Sequence, residues 1–334
     1  MPPVYVDFLN GPDIAGLALT DAEIIAAIET SLAAQGNGHT VIEPRVHLTP
    51  KEARHGHFNV LRGSIGAPVN YAGVKVVGDF VYNYEKNLPS EMGILTLFDP
   101  ETGMPRAILD AGGITEMRTG AMTAVGAKYL ARKDSKVLGH LGARGSAYWN
   151  VRLLDSLFHF DEIRVHSKRR DSQEAFAERL RADLGRPIKT FDNWEDVVVD
   201  ADIVVEATRL LEPEPLLKTE WIEPGAFVVP YGTMSAVEFS LTDIMDKMVV
   251  DDWGQCKGGP FGALRAHVNA GKLSEETLYA ELGQIVAGLK PGRESNEESI
   301  LFWHRGLSLS DIALGHAMLE KARVTGIGQR LRFA

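Results

Sequence analysis

A helical period opens the chain, with Ile24, Ile25, Ile28 and Leu32 on one face of a segment spanning 22–34. Asp21 stands as its cap and Gly36-Asn37-Gly38 as its stop. The pattern then shortens to strand-like segments at Thr40–His47, Phe58–Gly63, Val74–Phe80, Gly93–Phe98 and Arg106–Asp110. The turn Asp99-Pro100-Glu101-Thr102-Gly103 joins the last two as a hairpin. The first third therefore predicts a helix leading into a mostly antiparallel sheet.

A long Ala-rich helix over Glu116–Arg132 separates this region from a second regime. From Lys136 short apolar strands alternate with helices: strand Lys136–Leu141, helix Tyr148–Phe158, strand Glu162–His166, helix Ser172–Leu184. The strands Ile188–Phe191, Ile203–Glu206, Phe227–Pro230 and Met248–Val250 continue the series, and helices are expected over Ser274–Ala287 and Ser310–Arg323. Such alternation argues for a parallel sheet covered on both faces. The last helix is expected to pack back on the first region.

The chain's 334 residues, 45% hydrophobic and 24% charged, suffice for one large or two medium domains with a real core. A net charge of −10 disfavours a nucleic-acid or anionic-membrane binder. The single cysteine, Cys256, excludes an internal disulfide and a cysteine-cluster metal site. No secretory signal is visible in MPPVYVDFLN and no apolar run reaches membrane-spanning length, so a soluble cytoplasmic protein is expected. His55-Gly56-His57 lacks a third ligand of suitable spacing, and no metal is expected. Cys256 has no evident His partner and is not read as a nucleophile.

Chemistry concentrates in two places. The turn Gly142-Ala143-Arg144-Gly145-Ser146-Ala147 joins a first strand to a helix, where backbone N–H groups and a helix N-terminus can meet a pyrophosphate. The full G-x-G-x-x-G fingerprint is absent, since Arg144 occupies the second glycine position, but the strand–loop–helix–strand context favours a dinucleotide. After the next strand Ser167, Lys168, Arg169 and Arg170 replace the acid typical of NAD sites. Their charge favours NADP and Ser167 suits either ribose, so the choice between NAD(H) and NADP(H) stays open. The second place is a set of cations in apolar surroundings: Arg45, Lys75 between valines, and Arg118 at the start of the Ala-rich helix. A cation in an apolar strand is costly unless paired or functional. An ion pair with Glu116 or a nearby Asp, or a snorkelling side chain, is the structural alternative for each, but the three together favour function.

These residues resemble the ornithine cyclodeaminase/μ-crystallin family of NAD(P)-dependent enzymes. The likeness rests on Arg45, Gly73-Val74-Lys75, Arg118-Thr119-Gly120-Ala121, the 142–147 loop, Ala201-Asp202-Ile203 with Ala207-Thr208, and Gly306-Leu307 with Asp311. It implies an α/β fold: a Rossmann-type doubly wound parallel sheet over residues 121–309, plus an α+β substrate and dimerisation domain from residues 1–120 with 310–334. It also implies a homodimer acting on a small carboxylate-bearing imine or amino acid. Substrate contacts would fall on Arg45, Lys75, Arg118, Arg305 and Gly306, with Lys75 as the catalytic residue. Cofactor contacts would fall on Ser90, Arg118, Thr119, Gly142, Arg144, Gly145, Ser146, Ser167, Lys168, Arg169, Thr208, Tyr231, Gly232 and Thr233.

Two departures from the family narrow the expectation. Tyr231-Gly232-Thr233-Met234-Ser235 carries no acid where cyclodeaminases have an Asp that handles the substrate's amino groups, so ornithine cyclisation is disfavoured. Imine reduction asks for less, because an iminium already draws hydride to its carbon. Phe302-Trp303-His304-Arg305-Gly306 is more basic than the family's usual Asp-Ser, and Arg305 suits a second carboxylate unless it pairs with Glu297 or Glu298. Within the family the sequence most resembles members that reduce iminosuccinate, so the resemblance implies reduction of iminosuccinate to aspartate. A monocarboxylic or cyclic imino-acid reductase, or a non-catalytic NADP-dependent ligand binder, is the alternative.

Overall fold

The computed structural model describes residues 3–53, 55–143, 145–208, 210, 214–231, 236–257 and 265–334. The chain divides into two compact units, Met1–Arg118 with Gly306–Ala334, and Thr119–Arg305. The strands of the first are β1 (Tyr5–Leu9), β2 (Thr40–Ile42), β3 (Val46–Leu48), β4 (Gly56–Ile65), β5 (Tyr71–Phe80), β6 (Glu91–Phe98) and β7 (Pro105–Asp110). Those of the second are β8 (Val137–Leu141), β9 (Glu162–His166), β10 (Lys189–Thr190), β11 (Ile203–Glu206), β12 (Phe227–Pro230), β13 (Lys247–Val250), β14 (Ala280–Glu281) and β15 (Ile300–Trp303). The last strand, β16 (Gln329–Arg332), returns to the first unit. The helices are α1 (Gly11–Gly16), α2 (Asp21–Gly36), α3 (Ala111–Leu130), α4 (Ala147–Phe158), α5 (Arg170–Leu184), α6 (Glu195–Val198), α7 (Trp253–Lys257), α8 (Arg265–Asn269), α9 (Leu282–Val286) and α10 (Ser308–Thr325).

In the first unit the sheet runs β16-β1-β7-β6-β5-β4-β2, with β3 also on β4. It is antiparallel except for the parallel β1–β7 pair. Helix α10 packs against β4, β5, β6 and α2, joining the two ends of the chain in one core. Strand alternation decides what the core receives. Leu61, Lys75, Leu95 and Leu109 form one cross-strand row on the covered face, so Lys75 occupies a position its neighbours give to leucine. One residue on, Val46, Val60, Val76 and Ile94 form a row on the opposite face, where Val46 and Ile94 stay 47% and 52% exposed.

In the second unit every strand pair is parallel, and the order is β10-β9-β8-β11-β12-β15-β13-β14. Counted from β8, the first five strands stand 3-2-1-4-5, the doubly wound arrangement whose order reverses between strands one and four. β11, β12, β13 and β15 are buried throughout, as a sheet covered on both faces requires. The fold is thus α/β: a Rossmann-type sheet plus an α+β unit built from both chain ends.

Several local expectations are corrected. Thr20, not Asp21, caps α2: its hydroxyl accepts from the Glu23 N–H while Glu23 answers to the Thr20 N–H. The segment 40–47 is two strands, and Arg45 lies in the connection between them rather than within a strand. Helix α3 starts at Ala111, so Arg118 sits two turns into it rather than at its start. No long helix covers Ser274–Ala287. Ser274 and Thr277 exchange side-chain bonds with each other's N–H groups, a turn that competes with the helix. The Tyr279 N–H then donates to Met248 and the chain joins the sheet as β14. β1, β15 and β16 add strands the pattern does not announce, β16 because its residues are all exposed.

Candidate active site

The three cations singled out by sequence meet in the first unit on a segment that supplies an acid. β5 places Lys75 on the covered face with 2% exposure, and its Nζ donates to Asp311 Oδ1 at 2.6 Å and to Thr115 Oγ1 at 3.2 Å. Arg118, one helical turn beyond Thr115, donates through Nε to the same Asp311 oxygen at 3.0 Å. Asp311 is fully buried in the first turn of α10, where the helix N-terminus favours a carboxylate. Its Oδ2 is buried and has no hydrogen-bond partner among the described residues.

Just before α10, Gly306 holds φ +84°, and a Cβ there would lie 1.9 Å from Arg118 Nη1. Its carbonyl accepts from Arg45 Nη2 at 3.0 Å. Arg45, Arg118, Gly306 and Asp311 are thereby held together, with Lys75 attached through the carboxylate. Burial holds the Lys75 ammonium down to about 8; Asp311 opposes that shift, while the charges of Arg118 and Arg45 reinforce it. A group so tuned is mostly protonated at neutral pH yet within reach of proton exchange.

The second unit carries a glycine turn after β8 and Thr208 after β11, at the carboxyl ends of the strands where an open parallel sheet binds ligands. Gly142 follows β8 at φ +102°, and a Cβ there would meet Ala207 O at 2.8 Å, so no side chain fits. Gly145 holds φ +58° with nothing within 4 Å of where a Cβ would stand, and Ser146 opens α4. Beneath the loop the buried His140 donates through Nδ1 to the Gly142 carbonyl at 3.0 Å; burial pulls its pKa to about 4, so the ring is neutral. Asn150 donates to the Tyr231 hydroxyl, which shares a 2.7 Å hydrogen bond with Ser146. Tyr231 stacks on His304 with ring centroids 4.7 Å apart, and His304 Nε2 lies 3.0 Å from Thr123 Oγ1. Thr208 donates both its N–H and its hydroxyl to buried Glu206 at the end of β11. A glycine turn a side chain would fill, buttressed from below and opening a helix, fits a dinucleotide pyrophosphate.

The remaining expected contacts are scattered. The Ser167 N–H donates to Gln173 Oε1 at 2.8 Å at the end of β9. Lys168 pairs with Glu214 at 3.0 Å on the surface, and Arg169 is exposed at the N-cap of α5. Thr119 is buried next to Arg118 along α3, its carbonyl accepting from Thr123. Ser90 belongs to the first unit, exposed before β6, its carbonyl accepting from the Phe80 N–H. Arg305 is anchored in the second unit: its N–H donates to buried Asp251 at 2.9 Å and Nη1 to the Gln255 carbonyl at 3.2 Å. Glu298, offered above as its partner, pairs with Lys247 instead. Arg144, Gly232 and Thr233 lie outside the described residues.

Sequence reasoning left Asp311, His140, Asn150 and Glu206 without roles. For Asp311 the signal was present, since Ser308-Leu309-Ser310-Asp311-Ile312-Ala313-Leu314 sets one charge among apolar and small residues. A charge in that setting needs a partner.

A Rossmann-type sheet with this glycine turn, in a chain that also buries a lysine–arginine–aspartate cluster, is the framework of a nicotinamide-nucleotide-dependent oxidoreductase, the class its relatives share. The chain belongs to the ornithine cyclodeaminase/mu-crystallin family, whose profile matches residues 7–326. Among solved structures it is similar to an archaeal alanine dehydrogenase dimer with bound NAD (29% identity, 99% of this chain and 100% of that one, TM-score 0.89). It is also similar to the Thermococcus litoralis Δ1-pyrroline-2-carboxylate reductase in complex with NADH and L-proline (30%, 98% and 100%, TM-score 0.89). A third is the iminosuccinate reductase of Paracoccus denitrificans in complex with NAD+ (26%, 98% and 100%, TM-score 0.88). No helix among the described residues is long and apolar enough to cross a membrane.

Gly142→Ala is expected to weaken NADH binding by at least about tenfold, since a Cβ would force the loop off Ala207. Titration of NADH fluorescence checks this beside a circular dichroism spectrum; a folded variant with unchanged affinity would remove the loop from the nucleotide site.

Proposed function

We propose that the protein reduces a carboxylate-bearing imine to an amino acid with NAD(P)H, iminosuccinate to aspartate being the favoured reaction. The observation that carries this reading is the convergence of Arg45, Lys75 and Arg118 about Gly306 and Asp311. A forked guanidinium matches a carboxylate bidentately, and two of them beside an ammonium make a preorganised anion clamp. The bound nicotinamide supplies the hydride in the reductive direction. The clamp orients the imine by its carboxylate, and Lys75 keeps the substrate nitrogen protonated. Gly142, Gly145, Ser146 and Thr208 hold the nucleotide, with Tyr231 and Asn150 fixing the loop from beneath.

Arg305 is the group proposed to accept the second carboxylate, its backbone fixed by Asp251. A cyclic imino acid is the second reading, favoured by the likeness to the pyrroline-2-carboxylate reductase. Lys168, paired with Glu214, has its charge offset, which leaves NADH acceptable at that turn.

We further propose a homodimer that covers the Val46–Val60–Val76–Ile94 row with a second copy. Exposed apolar rows of this kind mark contact surfaces, and the archaeal alanine dehydrogenase is a dimer. Light scattering should give twice the chain mass for the native protein and a single chain for Ile94→Lys. A monomeric native protein at micromolar concentration contradicts the dimer.

The activity is tested by following oxidation of NADH and NADPH with oxaloacetate plus ammonia, pyruvate plus methylamine, and a cyclic imino acid. Fast oxidation confined to oxaloacetate with ammonia is expected, and Lys75→Ala should abolish it while keeping nucleotide affinity. Oxidation confined to the other imines discards the second-carboxylate role of Arg305. Silence throughout, with nucleotide still bound, overturns the reductase reading.

A further inference from the structure

We propose that Asp311 receives the substrate's nitrogen, one oxygen tying Lys75 and Arg118 together while the other accepts a hydrogen bond from the iminium or ammonium N–H. This rests on the imine-reductase reading and assigns a group that reading leaves without a partner. A clamp of three cations attracts the substrate carboxylate but repels a cationic nitrogen one carbon away. An amino acid is held well there only if an anion stands beside the clamp. Residues 231–235 include no carboxylate.

Asp311 is placed to do so. It is fully buried, both its protein bonds fall on Oδ1, and Oδ2 has no donor among the described residues. A buried carboxylate oxygen without a donor costs free energy, and such atoms are rare enough to call for an explanation. A charged N–H donor arriving with the substrate supplies the missing bond. Because Oδ1 already touches Lys75 and Arg118, a ligand seated on those cations brings its α-nitrogen close to the same carboxylate. The cluster then recognises the two charges of an α-amino or α-imino acid together, whatever the side chain.

The test compares ligands that differ only in nitrogen. On the native protein saturated with NAD+, aspartate is expected to bind at least about tenfold more tightly than succinate, the increment of a hydrogen bond to a charged group. Asp311→Asn keeps an oxygen for Lys75 and Arg118 but turns an N–H toward the substrate. It should lose that preference and most turnover while keeping succinate affinity within about threefold. Equal loss of both ligands in Asp311→Asn reduces Asp311 to a support for the cations and overturns the proposal. So does a native protein with no preference for aspartate, a result that stands even where the variant does not fold. Binding of neither ligand to the native protein, with no turnover of any imine, indicts the reductase reading instead.

Discussion

Lys75 shares a cross-strand row with three leucines, Leu61 and Leu95 flanking it directly, and an ammonium stays buried there only with a counter-charge at hand. Asp311 supplies it from the first turn of α10 and binds Arg118 with the same oxygen. Deleting that carboxylate would leave two buried cations uncompensated, a cost of about 3–5 kcal/mol for a broken buried pair. The contact also fixes how the unit is put together, because it spans 236 positions of sequence between β5 and α10. The helix that closes the core on the N-terminal sheet thus brings the acid that makes the cation cluster tolerable.

Burial, Arg118 and Arg45 push the Lys75 ammonium down while Asp311 holds it up, and the balance falls at about 8. An isolated lysine would be too weak an acid to give up its proton readily at neutral pH. One without a carboxylate beside it would lose its charge and with it the attraction for substrate. The second unit solves a different problem by similar means. The turn after β8 has no room for a side chain at Gly142, and a neutral histidine, an asparagine and a tyrosine support it through hydrogen bonds.

Much of this was legible in the sequence because it rests on period and punctuation. The shift from strand alternation to strand–helix alternation near Lys136 marks the parallel sheet, and Gly142 lies where its first strand turns into a helix. Arg45, Lys75 and Arg118 were conspicuous as cations in apolar company. Their common partner was not, since pairing across 236 residues leaves no local trace. Strand β16 was invisible because an exposed edge strand needs no apolar pattern, and β15 because four consecutive apolar residues carry no alternation. The segment 274–287 misled because hydroxyl side chains at Ser274 and Thr277 capture N–H groups that a helix would use.

The most direct check is the titration of Lys75 itself, followed by the ¹³Cε resonance of labelled lysine and assigned by its absence in Lys75→Arg. A midpoint at about 8 is expected in the free protein. Below it Lys75 is an ammonium able to hold a carboxylate and give a proton, so reductive turnover should fall as pH rises through that value. A midpoint at the ordinary lysine value of 10.5 would mean that burial and the neighbouring arginines do not outweigh Asp311, and that the amine is not tuned for proton exchange near neutral pH. That result would contradict a catalytic role for Lys75 as proton donor.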